Sequence, residues 1–421
     1  MFDFSHQLLK YSALALKQCA HDFETIDEIT EYNQQKMLKA FVKNGVSEAM
    51  FAPSTGYGYG DRGREVIDRV FADAVGAEDA VVRHNFTCGT HTLTVALFGV
   101  LRPGDTLLCV TGLPYDTIQP AIGIGGDSGH TGSLHDFGVK YAQVELASDG
   151  HPDFAAIEKA VREQQPKMVY IQRSRGYSLR PSLSVEDIEI IANLAHSYSS
   201  AVVMVDNCYG EFTERREPVE AGADLMAGSL IKNPGGGIAP TGGYIAGRHA
   251  LVELCCNRLT TPGLGREVGA TLGHTRELFM GLFHAPHVVG EALKTAAFAS
   301  SLFTSLGFET TPQPYETRHD IIQAIKLQKA ENLIAFCRGL QKASPIDSFV
   351  VPEPSDMPGY DSKVIMAAGA FTLGSSIELS ADGPLREPYA VWMQGGLNFH
   401  SAKLAVLSAA QALLDEQKKV K

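Results

Sequence analysis

From Asp79 onward the chain alternates. Short apolar runs (DAVVR, DTLLCV, KMVYIQ, AVVMVDN and DLMAGS) are separated by stretches of helical periodicity such as Gly89–Leu101 and Val185–Tyr198. Runs this short and this apolar suit strands buried on both faces, with the intervening helices as their cover. The fold class that follows is α/β, a mostly parallel sheet wrapped by helices. Open sheets of that kind bind ligands just outside the carboxyl ends of their strands. The search for chemistry therefore narrows to the residues that close each apolar run.

Two helical patterns, Ser5–Cys19 and Ile26–Asn44, precede the alternation, followed by the glycine- and tyrosine-rich loop FAPSTGYGYGDRG and a helical REVIDRVFADAVG. After it, a long helical pattern over Pro286–Leu306 leads into a second unit. Its expected strands are DIIQAIKL, KVIMAAG, SSIELS and AVWMQGG, with helices near Ala330–Gln341 and Ala402–Leu414, which describes a smaller α+β domain. A chain of 421 residues exceeds one ordinary core. The expected division is an N-terminal helical segment 1–50, a large domain 51–285 and a small C-terminal domain 286–421.

Four strand ends carry reactive or ligand-binding residue types. In HNFTCGTHTL a strand ends near Arg83 and a helix begins near Gly89, so Cys88, Gly89 and Thr90 sit at a helix N-terminus. Free N–H groups and the positive end of the helix dipole suit a phosphate there, although plain helix capping by Thr87 or Thr90 would use the same residues. In TGLPYDT, Tyr115 can lay its ring on a planar ligand or simply occupy a turn. In VVMVDNCYGEF, Asp206 closes an apolar run, where a carboxylate is costly to bury without a cationic or hydrogen-bonding partner. A protonated ring nitrogen would be such a partner, and a loop cap would be another. The next run ends at Ser229, and Lys232 follows in GSLIKNPGGGIAPTGGYIAG. A desolvated lysine can lose its proton near neutral pH and condense with a carbonyl. The glycines behind it would let the backbone pass close to a bulky bound group.

Together, a phosphate cup, a stacking aromatic, a carboxylate and a lysine at successive strand ends describe a site for one cofactor, pyridoxal 5′-phosphate. The lysine would hold its aldehyde and the aspartate its ring nitrogen. Other classes fit poorly. The formal net charge of -12 opposes a nucleic-acid or membrane-surface role. The chain has no apolar stretch of spanning length, and MFDFSHQLLKYSALALKQCAHDF is too polar for a secretory signal. Seven cysteines without CxxC spacing fit the cytoplasm rather than a disulfide framework. The segment GYGDRG from Gly58 to Gly63 matches GxGxxG but follows FAPST rather than an apolar strand, so a dinucleotide site is not expected. His284 and His287 have no cysteine or HExxH context, and no metal site is expected.

The stretches TGYGYGDRGRE, HNFTCGTHTL, GLPYDT, IQRSRGYSLRPSL, VDNCYGEF, GSLIKNPGGGIAPTGGYIAG and VWMQGGLNFHSAKL resemble the fold-type I pyridoxal-phosphate enzymes of cysteine and methionine metabolism. The likeness is to the methionine γ-lyase family, in its aluminium-resistance protein branch, and it covers nearly the whole chain. The resemblance implies a covalent lysine at Lys232, a ring-nitrogen partner at Asp206 and a stacking aromatic at Tyr115. It also implies phosphate contacts at Cys88, Gly89, Thr90 and Ser229. In related lyases a Tyr-x-Arg signature reaches the partner subunit's phosphate. Here Tyr57, Tyr59, Arg62 and Arg64 compete for those roles. The resemblance thus implies a homodimer or homotetramer with shared active sites.

The expected reaction is β- or γ-elimination from a sulfur-containing amino acid, with Lys232 as base and Tyr115 or Tyr59 as acid. An aminotransferase, aldolase or decarboxylase using the same cofactor is the alternative. An amino-acid carboxylate calls for a bidentate guanidinium. The candidates are Arg173, Arg175, Arg318 and Arg386. Arg386 in GPLREPY and Arg175 in QRSRGY are the two placed in the substrate site, against the ordinary alternative of surface ion pairs.

Overall fold

The computed structural model describes residues 3–125, 131–357 and 362–419. Two helices, α1 (His6–Gln18) and α2 (Ala20–Lys43), open the chain, and α3 (Arg62–Val75) follows the tyrosine-rich loop. Seven strands then form one sheet: β1 (Asp79–Arg83), β2 (Thr106–Cys109), β3 (Lys140–Gln143), β4 (Met168–Gln172), β5 (Val202–Asp206), β6 (Leu225–Ser229) and β7 (Gly243–Gly247). The helices among and after them are α4 (Gly89–Val100), the single turn α5 (Gln119–Ile122), α6 (Phe154–Gln164), α7 (Val185–Tyr198) and α8 (His249–Leu259).

The strand order is β1-β7-β6-β5-β4-β2-β3. The pairs β6–β5, β5–β4, β4–β2 and β2–β3 are parallel, and β7 runs antiparallel to both neighbours. The expected mostly parallel α/β sheet is therefore present. Alternate side chains divide between two cores: Val169, Ile171, Val203, Val205 and Met226 pack on one face with α3, and Met168, Tyr170, Val202, Met204 and Ala227 pack on the other with α4 and α8. The two-residue period of a strand makes this division automatic.

Helix ends are set by local chemistry. Asp61 caps α3 by accepting from Arg64 N, and Gly76 closes it at φ 74. Ser184 and Asp187 form a reciprocal capping box on α7.

A 31-residue helix, α9 (Thr275–Ser305), connects to a second, antiparallel sheet. That sheet contains β8 (Glu309–Thr311), β9 (Ile322–Lys326), β10 (Val364–Ala367), β11 (Ser380–Pro384) and β12 (Ala390–Gln394), in the order β10-β11-β12-β9-β8. Helices α10 (Ala330–Lys342) and α11 (Phe399–Lys419) cover it. The expected boundary at 285/286 falls inside α9, and α1 sends Leu8 and Ala15 into the core of the second sheet. One expected strand is displaced. SSIELS contributes only its last serine, and the strand is SADGP instead. Its glycine, aspartate and proline carry little strand propensity, so pairing to β10 and β12 decides its conformation.

A buried ion pair ties α3 to the first strand. Arg83 places both terminal nitrogens on Asp68, at 2.6 and 2.9 Å, and Asp68 also accepts from Val82 N at 2.8 Å. Breaking a buried pair from one side leaves the other charge uncompensated, which costs about 3–5 kcal/mol. Asp68→Ala is expected to lower the urea midpoint of the large-sheet unit by that equivalent. An unchanged midpoint would show that Arg83 finds another partner.

Candidate active site

Strand register places the key side chains. Asp206, the last residue of β5, pairs across to Ala227 in β6, and β6 runs on through Ser229 to Lys232. Lys232 is half-buried, and its Nζ lies 4.0 Å from the centroid of the Tyr209 ring. Tyr209 adopts φ 73, a left-handed conformation unusual for a tyrosine. Strain of this kind concentrates where geometry serves a site. Asp206 is 6% exposed. It accepts from the Cys208 N–H at 3.1 Å and from the Tyr170 hydroxyl at 3.5 Å.

The electrostatics differ from expectation at the lysine. Burial works against the Lys232 ammonium, but Cys208, Tyr209, Asp206 and Glu211 around it outweigh burial and hold its pKa above the ordinary lysine value. A lysine among acidic groups keeps its proton, whereas the lone desolvated lysine anticipated from the sequence would lose it. Burial raises the Asp206 carboxyl, with Lys232 the largest opposing influence. It raises Glu211 to about 8, opposed first by the hydrogen bond from Tyr244.

The residues expected to cradle a phosphate lie close by. Cys88 caps α4, its Sγ accepting from His91 N, and the exposed helix start leaves Gly89 and Thr90 on the open side. Thr90 Oγ1 sits 2.7 Å from Thr117 Oγ1. Ser229 Oγ is buried without a hydrogen-bond partner among the described residues. A Cβ at Gly89 would come within 3.4 Å of the Ser229 Cβ and 3.7 Å of Cys208 Sγ. A cradle of helix-start N–H groups and an orphaned hydroxyl, with a lysine and a buried carboxylate beside it, fits pyridoxal phosphate in charge and donor chemistry. Tyr115 is held at the rim, its N–H donating to Gln172 Oε1 at 2.6 Å. A Cβ at Gly176 would meet the Tyr115 ring at 3.1 Å.

Several expected residues have other roles. The glycines after Lys232 face protein: a Cβ at Gly235 would lie 1.7 Å from Leu230 O, and one at Gly236 2.5 Å from Gly281 O in α9. They allow the lysine turn to pack on a helix. Arg173 is an internal strut, donating to Asn207 Oδ1 and Gly210 O and pairing with Glu214. Arg175 is turned into the domain junction, donating to Thr311 O at 3.0 Å with Asp320 at 3.8 Å. Arg318 shares that acidic neighbour. Arg386 is exposed at the β11–β12 turn. It sits next to the Ala390 end of β12, which pairs with Lys326, while Gln394 at the far end pairs with Ile322. The far end is the one near the lysine, because Gly395 packs on Ser376 and Ile377, and a Cβ at Gly374 would lie 3.7 Å from Ile231. A full strand length therefore separates Arg386 from Lys232. Ser375 and Ser376, on the loop brought there, have buried hydroxyls with no partner among the described residues.

Arg64 is buried and clamps the tyrosine loop, donating to Gly58 O, Gly269 O and Glu267 O. This leaves Arg62 exposed on the helix start. Tyr57 and Tyr59 stack on each other at 5.5 Å and stand 71% and 64% exposed. Tyr170, Gln172, Tyr209 and Glu211 were not singled out from the sequence. The available signal was a polar residue closing or flanking an apolar run, which Gln172 shares with Asp206.

The methionine gamma-lyase family model matches residues 8–414, and the chain belongs to that family. The Bacillus subtilis (strain 168) protein YnbB is 47% identical over 421 residues, covering 99% of this chain and 100% of that one. A carbon-sulfur lyase involved in aluminium resistance from Clostridium novyi NT superposes with TM-score 0.93 at 49% identity, over 97% of this chain and 96% of that one. The pyridoxal-5′-phosphate-dependent protein YhfS from Escherichia coli shares the fold at TM-score 0.63 and 15% identity, over 93% and 97% of the two chains. The fold is that of the type I pyridoxal-phosphate enzymes.

Gly228, just ahead of Ser229, has no room for a side chain. An added Cβ would lie 2.6 Å from Glu211 Oε1 and 2.7 Å from the Tyr244 hydroxyl. Overpacking of this kind costs about 1–3 kcal/mol. Gly228→Ala is expected to lose that much in urea unfolding, and wild-type stability would show that Glu211 and Tyr244 move aside freely.

Proposed function

We propose that this member of the methionine gamma-lyase family is a pyridoxal-phosphate-dependent carbon–sulfur lyase. It acts on a sulfur-containing amino acid by β- or γ-elimination, with Lys232 as covalent anchor and base. The observation that carries the reading is the adjacency of Asp206 and Lys232 on neighbouring strand ends, beside the open start of α4. Bound there, the cofactor supplies an electron sink for negative charge developing at the substrate α-carbon.

The chain's residues supply the rest. Asp206, buried and braced by Cys208 N–H and the Tyr170 hydroxyl, holds the proton on the ring nitrogen by charge. The first N–H groups of α4, the Thr90 hydroxyl and Ser229 bind the phosphate. Gln172 fixes the Tyr115 backbone, orienting its ring against the cofactor face. Lys232, once its amine is free, takes the α-proton. Tyr115, or Tyr59 from a neighbouring subunit, protonates the departing sulfur. Ser375 and Ser376 offer hydroxyls to the substrate. All seven cysteines are unpaired, in keeping with a cytoplasmic enzyme. Among the described residues no helix is long and apolar enough to cross a membrane.

The exposure of Tyr57, Tyr59 and Arg62 on a loop clamped by Arg64 supports a site shared between two subunits. The loop is held firmly, yet its aromatic and cationic tips point to solvent within one chain.

Purified protein supplied with pyridoxal phosphate should turn yellow, and borohydride should fix the cofactor on the Lys232 peptide. Sulfur amino acids should release keto acid, ammonia and a thiol together. Keto acid without ammonia would indicate transamination, and a colourless protein would overturn the cofactor reading.

For the shared site, a Lys232→Ala chain should be mixed with one carrying Tyr57→Phe, Tyr59→Phe and Arg62→Ala. Each should be inactive alone. After verified subunit exchange, one site per hybrid dimer regains both wild-type parts, so activity should return. A fully exchanged, inactive mixture would place the loop on its own subunit.

A further inference from the structure

The turn after β5 puts a tyrosine where glycine is the usual residue. Asn207 O accepts from the Gly210 N–H at 2.9 Å, which closes a β-turn, and Tyr209, at its third position, has φ 73. A positive φ at that position is ordinarily met by glycine, which has no Cβ to crowd the backbone. The conformation is held from outside. Arg173 donates to Asn207 Oδ1 at 2.8 Å and to Gly210 O at 2.9 Å, and the Thr213 hydroxyl donates to Gly210 O at 2.7 Å. A bulky residue fixed in a sparsely populated conformation by its surroundings points to a use for its side chain.

The Tyr209 ring touches two parts of the molecule. Lys232 Nζ stands 4.0 Å from its centroid, within the range over which a ring attracts a cation. The ring also packs against the cluster of Ile322, Ala324, Ala390 and Trp392 from β9 and β12 of the second sheet. Among the described residues, Lys232 Nζ has no ion-pair partner and no hydrogen-bond acceptor, which leaves the ring as the direct partner of its charge. Asp206 and Glu211 act on that charge without a bond to it.

We propose that Tyr209 is a positioning residue whose ring is the resting place of the Lys232 ammonium whenever the amine is not bonded to the cofactor. The negative face of the ring attracts the ammonium and gives the neutral amine little, and the attraction grows as water is excluded. The ring thus keeps the free lysine charged and in one place at the end of β6. The second sheet, by backing the ring, fixes that place with respect to both units of the fold. Departure from the ring costs one proton, which passes from Nζ to water and frees the nitrogen lone pair, and no heavy-atom bond changes. The inference rests on the reading of Lys232 as the reacting lysine for its meaning, but not for its test.

The full chain, freed of cofactor, is prepared as wild type, as Tyr209→Phe and with mono-, di- and trifluorinated phenylalanine at position 209. Fluorines draw electron density from the ring face at nearly constant shape, so they weaken the hold on a cation and leave the packing in place. Each protein is treated with acetic anhydride at one alkaline pH. Acetylation of Lys232 is measured by mass spectrometry against the exposed Lys10. The reagent attacks only the neutral amine, so the rate reports the neutral fraction. Tyr209→Phe should match wild type within about twofold, because both rings attract a cation. Labelling of Lys232 should then climb with each fluorine, to about tenfold at the trifluorinated ring, one pKa unit's worth. In a protein that takes up pyridoxal phosphate, the rate of yellowing should climb in the same order, since it draws on the same neutral amine. Should Tyr209→Phe not fold, fluorinated tyrosines at position 209 carry the same series with the hydroxyl kept. Equal Lys232-to-Lys10 ratios across the series overturn the resting place, even in an active lyase, and so does a yellowing rate that ignores the fluorines. A climbing ratio in a protein that stays colourless would leave the ring contact standing and remove the functional reading instead.

Discussion

The site depends on setting a half-buried lysine near a buried carboxyl at the ends of two adjacent strands. Asp206 closes β5 opposite Ala227 and Lys232 follows β6, so parallel register brings both to the same end of the sheet. Asp206 is buried, where an unsupported charge costs several kcal/mol, so it relies on its N–H and hydroxyl donors and on the lysine's charge. Much of the surrounding sequence serves that pair. Cys208 N–H and Tyr170 brace the aspartate, Tyr209 accepts a strained backbone to lay its ring under the lysine, and Gly228 leaves space for Glu211 and Tyr244. The lysine's surroundings are acidic rather than apolar, and its proton affinity follows from them.

Arginines form the framework around this centre. Arg83 fastens α3 to β1 through Asp68, Arg64 fixes the tyrosine loop through three carbonyls, and Arg173 joins the ends of β4 and β5. Arg175 reaches across the domain junction to Thr311. A guanidinium has five donors in a rigid plane, so one side chain can satisfy several loop carbonyls at once where no backbone ladder reaches. That use accounts for Arg173, whose guanidinium is engaged within the fold.

The larger sheet and its ligand-bearing edge were legible because buried parallel strands are short, wholly apolar and bounded by helices. Asp206, Ser229 and Lys232 stood out as polar interruptions at the ends of such runs. Gln172 and Glu211 escaped notice for complementary reasons. Gln172 is a neutral residue whose importance comes from accepting one N–H of a loop 57 residues earlier. Glu211 lies in a stretch where any acid could have been solvated. Strand β11 escaped because its residues are poor strand formers held in place by their neighbours.

The sequence by itself determined the α/β architecture, the order of strand ends and the residue types at each, because hydrophobic period and chain punctuation are local properties. Tertiary structure alone decided which charged groups face one another. It turned Arg175 inward, left Arg386 exposed at the β11–β12 turn, aimed the glycines after Lys232 at α9 and surrounded the lysine with acids. Those outcomes depend on the register between segments far apart in the chain, and a charge's proton affinity depends on neighbours that only folding brings within a few ångströms.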